Sequence, residues 1–395
     1  MNKPIAPSSR LALHLLSVAY FIQAVGALSV VGSLEAISRE WALSESQGAY
    51  LITVFGITFA IAAPLLQIAL GHLQRRRQVL LGLALFSSAA TLFACAPSYE
   101  VLLLSRVLMG IGAGFIGPVL GALGSNLVER EQQGSAIAIV LLGLSVAGLA
   151  GMPITAWISN EWGARNLFLG IGLGGMLTAL LILWLVPDSV PGERVAIRNL
   201  LELLSNAGSL SALLVVFFVS TGVFSTYAFL TPLIRNDYQG EPGDVSLALT
   251  VLGIAGVIGN LFVTRAALYI TASRMLLAGI VLLMVDIVYL SATPQHLAWL
   301  LAALVLWAFA TDIVWPTQQR RMVELRPEQR GIALALTASF LFCGIGLGSA
   351  VAGWIYPLFG YAGLLTASMF CFCLAMSCMA LSERLSRPPF APSGA

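Results

Sequence analysis

The sequence predicts an all-α polytopic membrane protein of twelve transmembrane helices in two pseudo-symmetric six-helix bundles, and three observations carry that expectation. Of its 395 residues, 58% are hydrophobic and only 10% are charged, against about 25% charged in an average soluble domain. Apolar runs of 18 to 25 residues recur along the whole chain, each long enough to cross about 30 Å of hydrocarbon at 1.5 Å per residue. The third observation is an internal duplication. Shifting the chain by 197 residues sets Thr53-Val54-Phe55-Gly56-Ile57 on Thr250-Val251-Leu252-Gly253-Ile254, Arg77 on Arg274 and Gly82 on Gly279. The same offset, without a gap, pairs Glu131-Gln132 with Glu328-Gln329, Gly134 with Gly331, Trp157 with Trp354 and Gly163 with Gly360. Such a register, held through loop charges and tryptophans, marks two parallel repeats.

Charged residues and Gly, Pro or Asn breaks bound the spans in order. The first, 12–34, follows Lys3 and Arg10 and runs too far to be a cleaved signal peptide. The second, third and fourth cover 46–70, 78–96 and 100–125, the basic run Arg75-Arg76-Arg77 separating the second from the third. The fifth and sixth, 134–158 and 166–187, are divided by Gly163 and Arg165. The longest polar connection, Asp188 to Asn206, follows, and its 199–204 portion has the pattern of a short interfacial helix. The seventh to twelfth cover 207–234, 244–264, 274–292, 297–318, 331–355 and 361–382. The expected organisation is an N-terminal six-helix bundle (1–187), a cytoplasmic linker (188–206) and a C-terminal bundle with a short cytoplasmic tail (207–395).

Orientation follows from the basic residues. With the N-terminus inside, sixteen fall on the cytoplasmic side (Lys3, Arg10, Arg75, Arg76, Arg77, Arg130, Arg194, Arg198, Arg265, Arg274, Arg320, Arg321, Arg326, Arg330, Arg384 and Arg387) and three outside (Arg39, Arg165 and Arg235). Arg106 alone is left within a span. Both termini are therefore expected in the cytoplasm.

Composition and spacing also exclude function classes. The basic residues are too dispersed for a nucleic-acid surface. Five cysteines, Cys95, Cys343, Cys371, Cys373 and Cys378, lie in apolar segments without metal-ligand spacing. His14, His72 and His296 sit at span ends or in loops, and no triad is present. No enzyme, cofactor or metal is expected. The partners are a small-molecule substrate, protons and the lipid bilayer, and the chain is expected to act as a monomer.

Twelve spans in two parallel repeats, with a basic loop between the second and third, resemble the major facilitator superfamily. Gly71-His72-Leu73-Gln74-Arg75-Arg76-Arg77 is similar to its basic loop motif, and Arg106-x3-Gly110-x-Gly112 to its fourth-helix arginine motif. Gly148-x2-Gly151-x-Pro153 is similar to the glycine-proline motif of antiporters. With Gly134-Ser135-Ala136-Ile137-Ala138, Gly163-x-Arg165 and Gly259-Asn260, the pattern most resembles the bacterial drug:proton antiporters of the arabinose-efflux-permease and sugar-efflux branch. The resemblance implies the major facilitator fold, a bacterial inner membrane, and export of a drug, sugar or metabolite against protons. Two departures stand out. The loop motif lacks its usual aspartate, and Ala27 stands where this branch commonly has a first-helix glutamate, with Glu35 near an expected proline.

The candidate site residues are rare polar groups within spans. Arg106 lies in Leu102 to Leu123 among glycines at 110, 112, 114, 117 and 121; an arginine at bilayer depth costs about 2.5–3.5 kcal/mol, so it should face the bundle interior. It could be a counter-charge for an acid or an anionic substrate group, or a structural arginine bonded to carbonyls of the first or fifth helix. With Ala27 at its depth and no acid there, the expectation is a substrate contact.

Asp312, on the tenth span, is the leading proton-coupling residue, since a carboxyl in an apolar span can exchange a proton as its surroundings alternate; the alternative is an aspartate near the cytoplasmic end that is hydrated, or paired with Arg320 or Arg321. Asp286 on the ninth span and Glu35 are further proton-coupling candidates, with an interhelical hydrogen bond and a solvated helix end as their plainer readings. Gln23, Thr53, Ser225, Thr226, Tyr227, Trp307 and Trp315 are expected to line a substrate cavity, although lipid-facing or core packing is the plainer reading for each aromatic. Gly71, Arg75, Arg76, Arg77, Gly110, Gly148, Gly151 and Pro153 are expected to serve conformational change. The leading expectation is a proton-coupled exporter working by alternating access. The rivals are an uptake symporter or uncoupled facilitator of a small solute, anionic if Arg106 reaches it, and a non-transporting membrane sensor or scaffold.

Overall fold

A computed structural model describes residues 6–187, 192 and 196–386. Lys3, Arg194 and Arg387, used above for orientation, lie outside the described residues. Among the described residues eleven stretches are long and apolar enough to cross a membrane, and the last of them contains two helices. In chain order they are α1 (Pro7–Trp41), α2 (Glu45–Leu70), α3 (Arg75–Ala94), α4 (Tyr99–Ser125), α5 (Arg130–Trp162) and α6 (Ala164–Leu185). A short connecting helix, Ile197–Ser205, leads to α7 (Ala207–Asp237), α8 (Pro242–Ala266), α9 (Ala272–Ala292) and α10 (Leu297–Leu325). The helical stretch Arg330–Ser386 turns at Gly360, where φ is 57°, so α11 covers 330–359 and α12 covers 361–386.

The all-α fold with twelve membrane-length helices is thus the one the sequence predicts. Helices overrun the apolar spans mainly where polar residues continue the turn, as at 35–41 of α1 and 319–325 of α10. Ser44 caps α2 reciprocally with Gln47, which fixes where that helix starts. Prolines act differently by site. Pro153 cannot donate to the Leu149 carbonyl, and α5 widens into a π stretch over Ala147–Gly151 just before it. Near Pro232, α7 breaks after Tyr227 and resumes with a short turn, Leu230–Pro232, that runs into a π stretch, Leu233–Asp237. Pro316 is carried within an unbroken helix.

The duplication is visible in backbone detail. Gly163 and Gly360, 197 apart, are the two glycines at positive φ among the described residues, at 89° and 57°. Each permits the sharp reversal from one helix to the next, α5 to α6 and α11 to α12.

The first six helices and the last six meet where α2 crosses α11 and where α5 crosses α8. Both crossings need a missing side chain. A Cβ on Gly56 of α2 would lie 2.6 Å from the Phe342 carbonyl oxygen and 2.9 Å from the Gly346 nitrogen of α11. A Cβ on Gly253 of α8 would lie 2.5 Å from the Leu149 carbonyl oxygen of α5. Gly56 and Gly253 are repeat partners, and so are Leu149 and Gly346, each pair being 197 apart. One contact is therefore built twice.

The bundle end bearing both termini is here the proximal end, and the opposite end is the distal end. The described polar contacts between the halves all lie toward the distal end. Ser46 donates to the Gly353 carbonyl (2.5 Å), Ser349 to the Ala49 carbonyl (2.8 Å) and Thr231 to the Val31 carbonyl (3.2 Å). Asn236 donates to Glu45 (2.8 Å), and Arg235 pairs with Glu35 (3.3 Å). At mid-height Phe59 of α2 packs on Phe342 of α11, with ring centroids 4.1 Å apart.

Overpacking a helix crossing costs about 1–3 kcal/mol, enough to shift a two-state equilibrium about 5- to 150-fold. Gly253→Val and its repeat counterpart Gly56→Val are each expected to loosen the distal closure. A cysteine at Val31 in a cysteine-free background should then react faster with a thiol reagent supplied from the distal side; equal rates would show that neither crossing holds the closure.

Candidate functional site

The α4 sequence places Arg106 one turn before Gly110, whose missing side chain lets α4 approach α2: a Cβ there would lie 2.9 Å from the Thr58 Cβ and 3.0 Å from the Phe55 carbonyl oxygen. This close approach brings the guanidinium to backbone. Arg106 is fully buried. Its Nε donates to the Leu51 carbonyl of α2 (3.0 Å), and its two terminal nitrogens donate to the Gly26 (3.0 Å) and Ala27 (2.9 Å) carbonyls of α1. Its Cζ also stands 4.5 Å from the centre of the Phe55 ring, a favourable cation–π position. The structure does not bring Arg106 to a cavity; its geometry is that of the second sequence reading, a carbonyl-bonded structural arginine, with α1 and α2 as the partners rather than α5.

Two carboxyls lie inside the second half. Asp286 of α9 is 0% exposed, and neither of its oxygens has a hydrogen-bond partner. It lines a small cavity with Thr226 and Tyr227 of α7, Trp307 of α10, Tyr361 of α12 and several leucines. Four of the sequence candidates, Thr226, Tyr227, Trp307 and Asp286, are thereby brought together. The interhelical hydrogen bond weighed for Asp286 is not made among the described residues. Asp312 of α10 lies against α8, where a Cβ on Gly256 would overlap its carboxyl and one on Gly259 would lie 3.2 Å from the Asp312 Cβ. Arg320 is committed to Glu324 and to the carbonyls of Ala267 and Ile270, and Arg321 to Ser273 and Ser382. Neither forms the pair with Asp312 that the sequence left open. Tyr227 lines the Asp286 cavity and is also near enough to Asp312 to feel its charge.

The other candidates are spread more widely. Gln23 is buried with its carbonyl oxygen unpartnered, 3.9 Å from where a Gly117 Cβ would be, beside Phe59. The Thr53 side chain bonds the Ala49 carbonyl at the α2–α11 crossing. Ser225 donates to the Thr221 carbonyl, and Thr226 shares a 2.8 Å hydrogen bond with Ser368. Trp315 is part-buried against the core. Glu35, one-third exposed, is not solvated alone: it pairs with Arg39 on its own helix (3.6 Å) as well as with Arg235.

The basic loop is anchored within its own half. Arg75 donates to the Ala122 carbonyl at the end of α4 (3.1 Å), Arg76 donates to the Leu183 carbonyl at the end of α6, and the Gly71 carbonyl accepts from Gln78 (3.2 Å). Cations at helix C-termini are favoured by the helix dipole. Arg77 is exposed. In α5, Gly148 faces open space, whereas a Cβ on Gly151 would lie 2.7 Å from Val25 of α1. Pro153 follows the π stretch whose Leu149 carbonyl meets Gly253.

Sequence reasoning missed Arg235, Tyr238 and Tyr361. The Tyr238 hydroxyl donates to that of Tyr361 (2.9 Å), at the distal edge of the Asp286 cavity. Burial raises the pKa of Tyr238, and nearby Asp237 and Asp286 act in the same sense against the lowering hydrogen bond with Tyr361, so it stays a hydroxyl donor. The one available signal was Gly360, whose positive φ sets Tyr361 at the start of α12.

Comparisons with known proteins agree on one family. The Major Facilitator Superfamily model matches residues 16–201 and 212–394. The chain is 25% identical over 342 residues to the uncharacterized MFS-type transporter YbcL of Bacillus subtilis, covering 86% of this chain and 87% of the relative. It is 26% identical over 325 residues to the inner membrane transport protein YdhP of Escherichia coli, covering 82% and 83%. Its fold matches that of a bacterial homologue of the human lysosomal transporter Spinster, solved inward-facing and unoccupied, with a TM-score of 0.71, 17% identity and 98% of each chain covered.

Arg106→Ala removes three interhelical hydrogen bonds from a charged donor and empties a buried site, and the expected loss of stability is about 2–4 kcal/mol, read as a lower melting temperature in detergent. Arg106→Lys, with one nitrogen in place of a fork, should recover only part of it. Gly256→Ala should displace the Asp312 carboxyl and impair whatever Asp312 does with little loss of folded protein; transport and melting measured on the same preparation check this.

Proposed function

The chain belongs to the Major Facilitator Superfamily, and we propose that it exports a small organic solute in exchange for protons by alternating access, its two six-helix halves rocking about a site between them. The observation that carries this reading is the one-sided set of contacts between the halves. With both termini in the cytoplasm, as the basic residues favour, the distal end faces outward. An outer side bridged by Glu35–Arg235, Glu45–Asn236 and Ser46–Gly353 then describes the state that receives solute from inside.

Two features supply the coupling. Asp312 and Asp286 are acids in apolar helices with no cationic partner among the described residues, as proton carriers require. The Gly148 to Pro153 motif, similar to that of antiporters, sits where α5 crosses α8. In this reading Gln23 contributes to the solute site, Arg106 holds α1 and α2 in place, and the protein resides in a bacterial inner membrane. The likeness to the drug:proton and sugar-efflux branch supports export, leaving the solute's identity to experiment.

In proteoliposomes, an imposed proton gradient is expected to drive a drug, sugar or metabolite against its concentration gradient, and Asp312→Asn should uncouple the two. Movement of solute at the same rate with and without the gradient would leave a facilitator instead. A fall in intracellular solute on deleting the gene would favour uptake.

A further inference from the structure

Tyr361, together with Leu290, forms the partition between two spaces. On one side lies the Asp286 cavity, about 20 Å³ in volume, room for about one water. On the other is a groove of about 720 Å³ between the distal ends of α9 and α12, with Ser291, Thr293, Gln295 and Thr366 among its lining groups. Tyr361 lines both. Its hydroxyl accepts a hydrogen bond from Tyr238, beyond the distal end of α7, which leaves its own hydrogen free to turn inward. Asp286 is close enough for its charge to act on both tyrosines. It stands six residues before the end of α9, about 9 Å below that end by the helix rise.

We propose that Asp286 is a proton-binding site loaded from the outer side through Tyr238 and Tyr361, separate from the solute site between the halves. A proton from outer water is taken by the Tyr238 oxygen as that hydroxyl passes its own hydrogen to Tyr361. Tyr361 in turn gives up its hydrogen to an Asp286 oxygen, directly or through one water in the cavity. Each hydroxyl finishes with one hydrogen, and the carboxylate becomes a neutral acid. The titratable and charged groups about this route are Tyr227 of α7, Tyr289 of α9, Tyr361 of α12, and Tyr238 with its neighbour Asp237. Arg235, three residues before Tyr238, is engaged by Glu35 and the Gly240 carbonyl, and no cation pairs with Asp286 among the described residues, so a proton is the charge-balancing occupant that the surroundings invite. Tight leucine walls and so few oxygens suit a proton better than a metal cation, which needs several oxygen ligands.

The route reaches Asp286 while the distal closure is shut. In the state that takes solute from inside, the proton therefore comes from outside to a different place, and the two need not compete. That consequence rests on the proton-exchange reading above; the existence of the site does not.

Charge displacement in right-side-out proteoliposomes on a solid-supported membrane, without solute, tests the site directly. A step to lower outer pH should give a transient inward charge movement that Asp286→Asn abolishes and that Glu131→Gln, an exposed acid away from the route, retains. Tyr361→Phe, which keeps the ring, should slow it about tenfold or more. Unchanged melting temperatures confirm that the variants are folded. A transient that survives Asp286→Asn, or that is as fast in Tyr361→Phe as in the unaltered protein, overturns the proposal, as does one evoked more readily by inner than by outer pH. Failure of solute transport in the gradient experiment would instead strike the exporter reading and leave these signals intact.

Discussion

The contact on which the rest depends is the hold of one buried guanidinium on two helices. Arg106 gives its hydrogen bonds to Gly26 and Ala27 on α1 and to Leu51 on α2, and those helices carry Val31, Glu35, Glu45, Ser46 and Ala49 to the other half. A charge inside a membrane bundle is costly, and satisfying it with carbonyls limits where those carbonyls can go. The distal ends of α1 and α2 are thus tied to α4. A rigid unit is what an alternating transporter needs on each side of its hinge surfaces, since small shifts are amplified only when the packed parts do not deform.

The hinge surfaces themselves are paired by duplication. Gly56 against Gly346 and Gly253 against Leu149 are the same contact made twice, so any rotation that opens one crossing acts on its counterpart in the same way. Polar latches are laid over these backbone contacts at one end. Glu35 joins Arg39 and Arg235, and Asp237 accepts a hydrogen bond from Tyr356 close by. Exposed ion pairs of this kind each contribute little, which suits a closure that must release; the closely packed glycines supply the specificity.

Twelve helices were legible because span length and apolar runs are set by the bilayer, and the offset of 197 survived in residues that do structural work, such as Gly163 and Gly360 at positive φ. The importance of Arg106 was legible for the same reason: a charge at depth is too costly to be idle. Its partner was not, because backbone carbonyls carry no signature in sequence, and the absence of an acid at Ala27 pointed toward a substrate group instead. Asp286 was legible as a rare acid, but its surroundings come from α7, α10 and α12, a convergence that no local pattern encodes. Arg235 read only as a loop charge, since a cross-half ion pair depends on the tertiary arrangement.

The two acids divide the second half between them. Asp312 lies against the glycines of α8, and Asp286 lies deeper among tyrosines, with Tyr227 shared by both surroundings. Arg106 holds α1 and α2, which carry the first half's side of the distal closure, and a distance across that closure reports on this hold most directly. With spin labels at Tyr50 of α2 and Trp354 of α11, both exposed, in a cysteine-free background, pulsed electron paramagnetic resonance should give one narrow short distance. Arg106→Gln should broaden and lengthen it while leaving a label pair confined to α3 and α6 unchanged. An identical distribution with and without Arg106 would contradict the account.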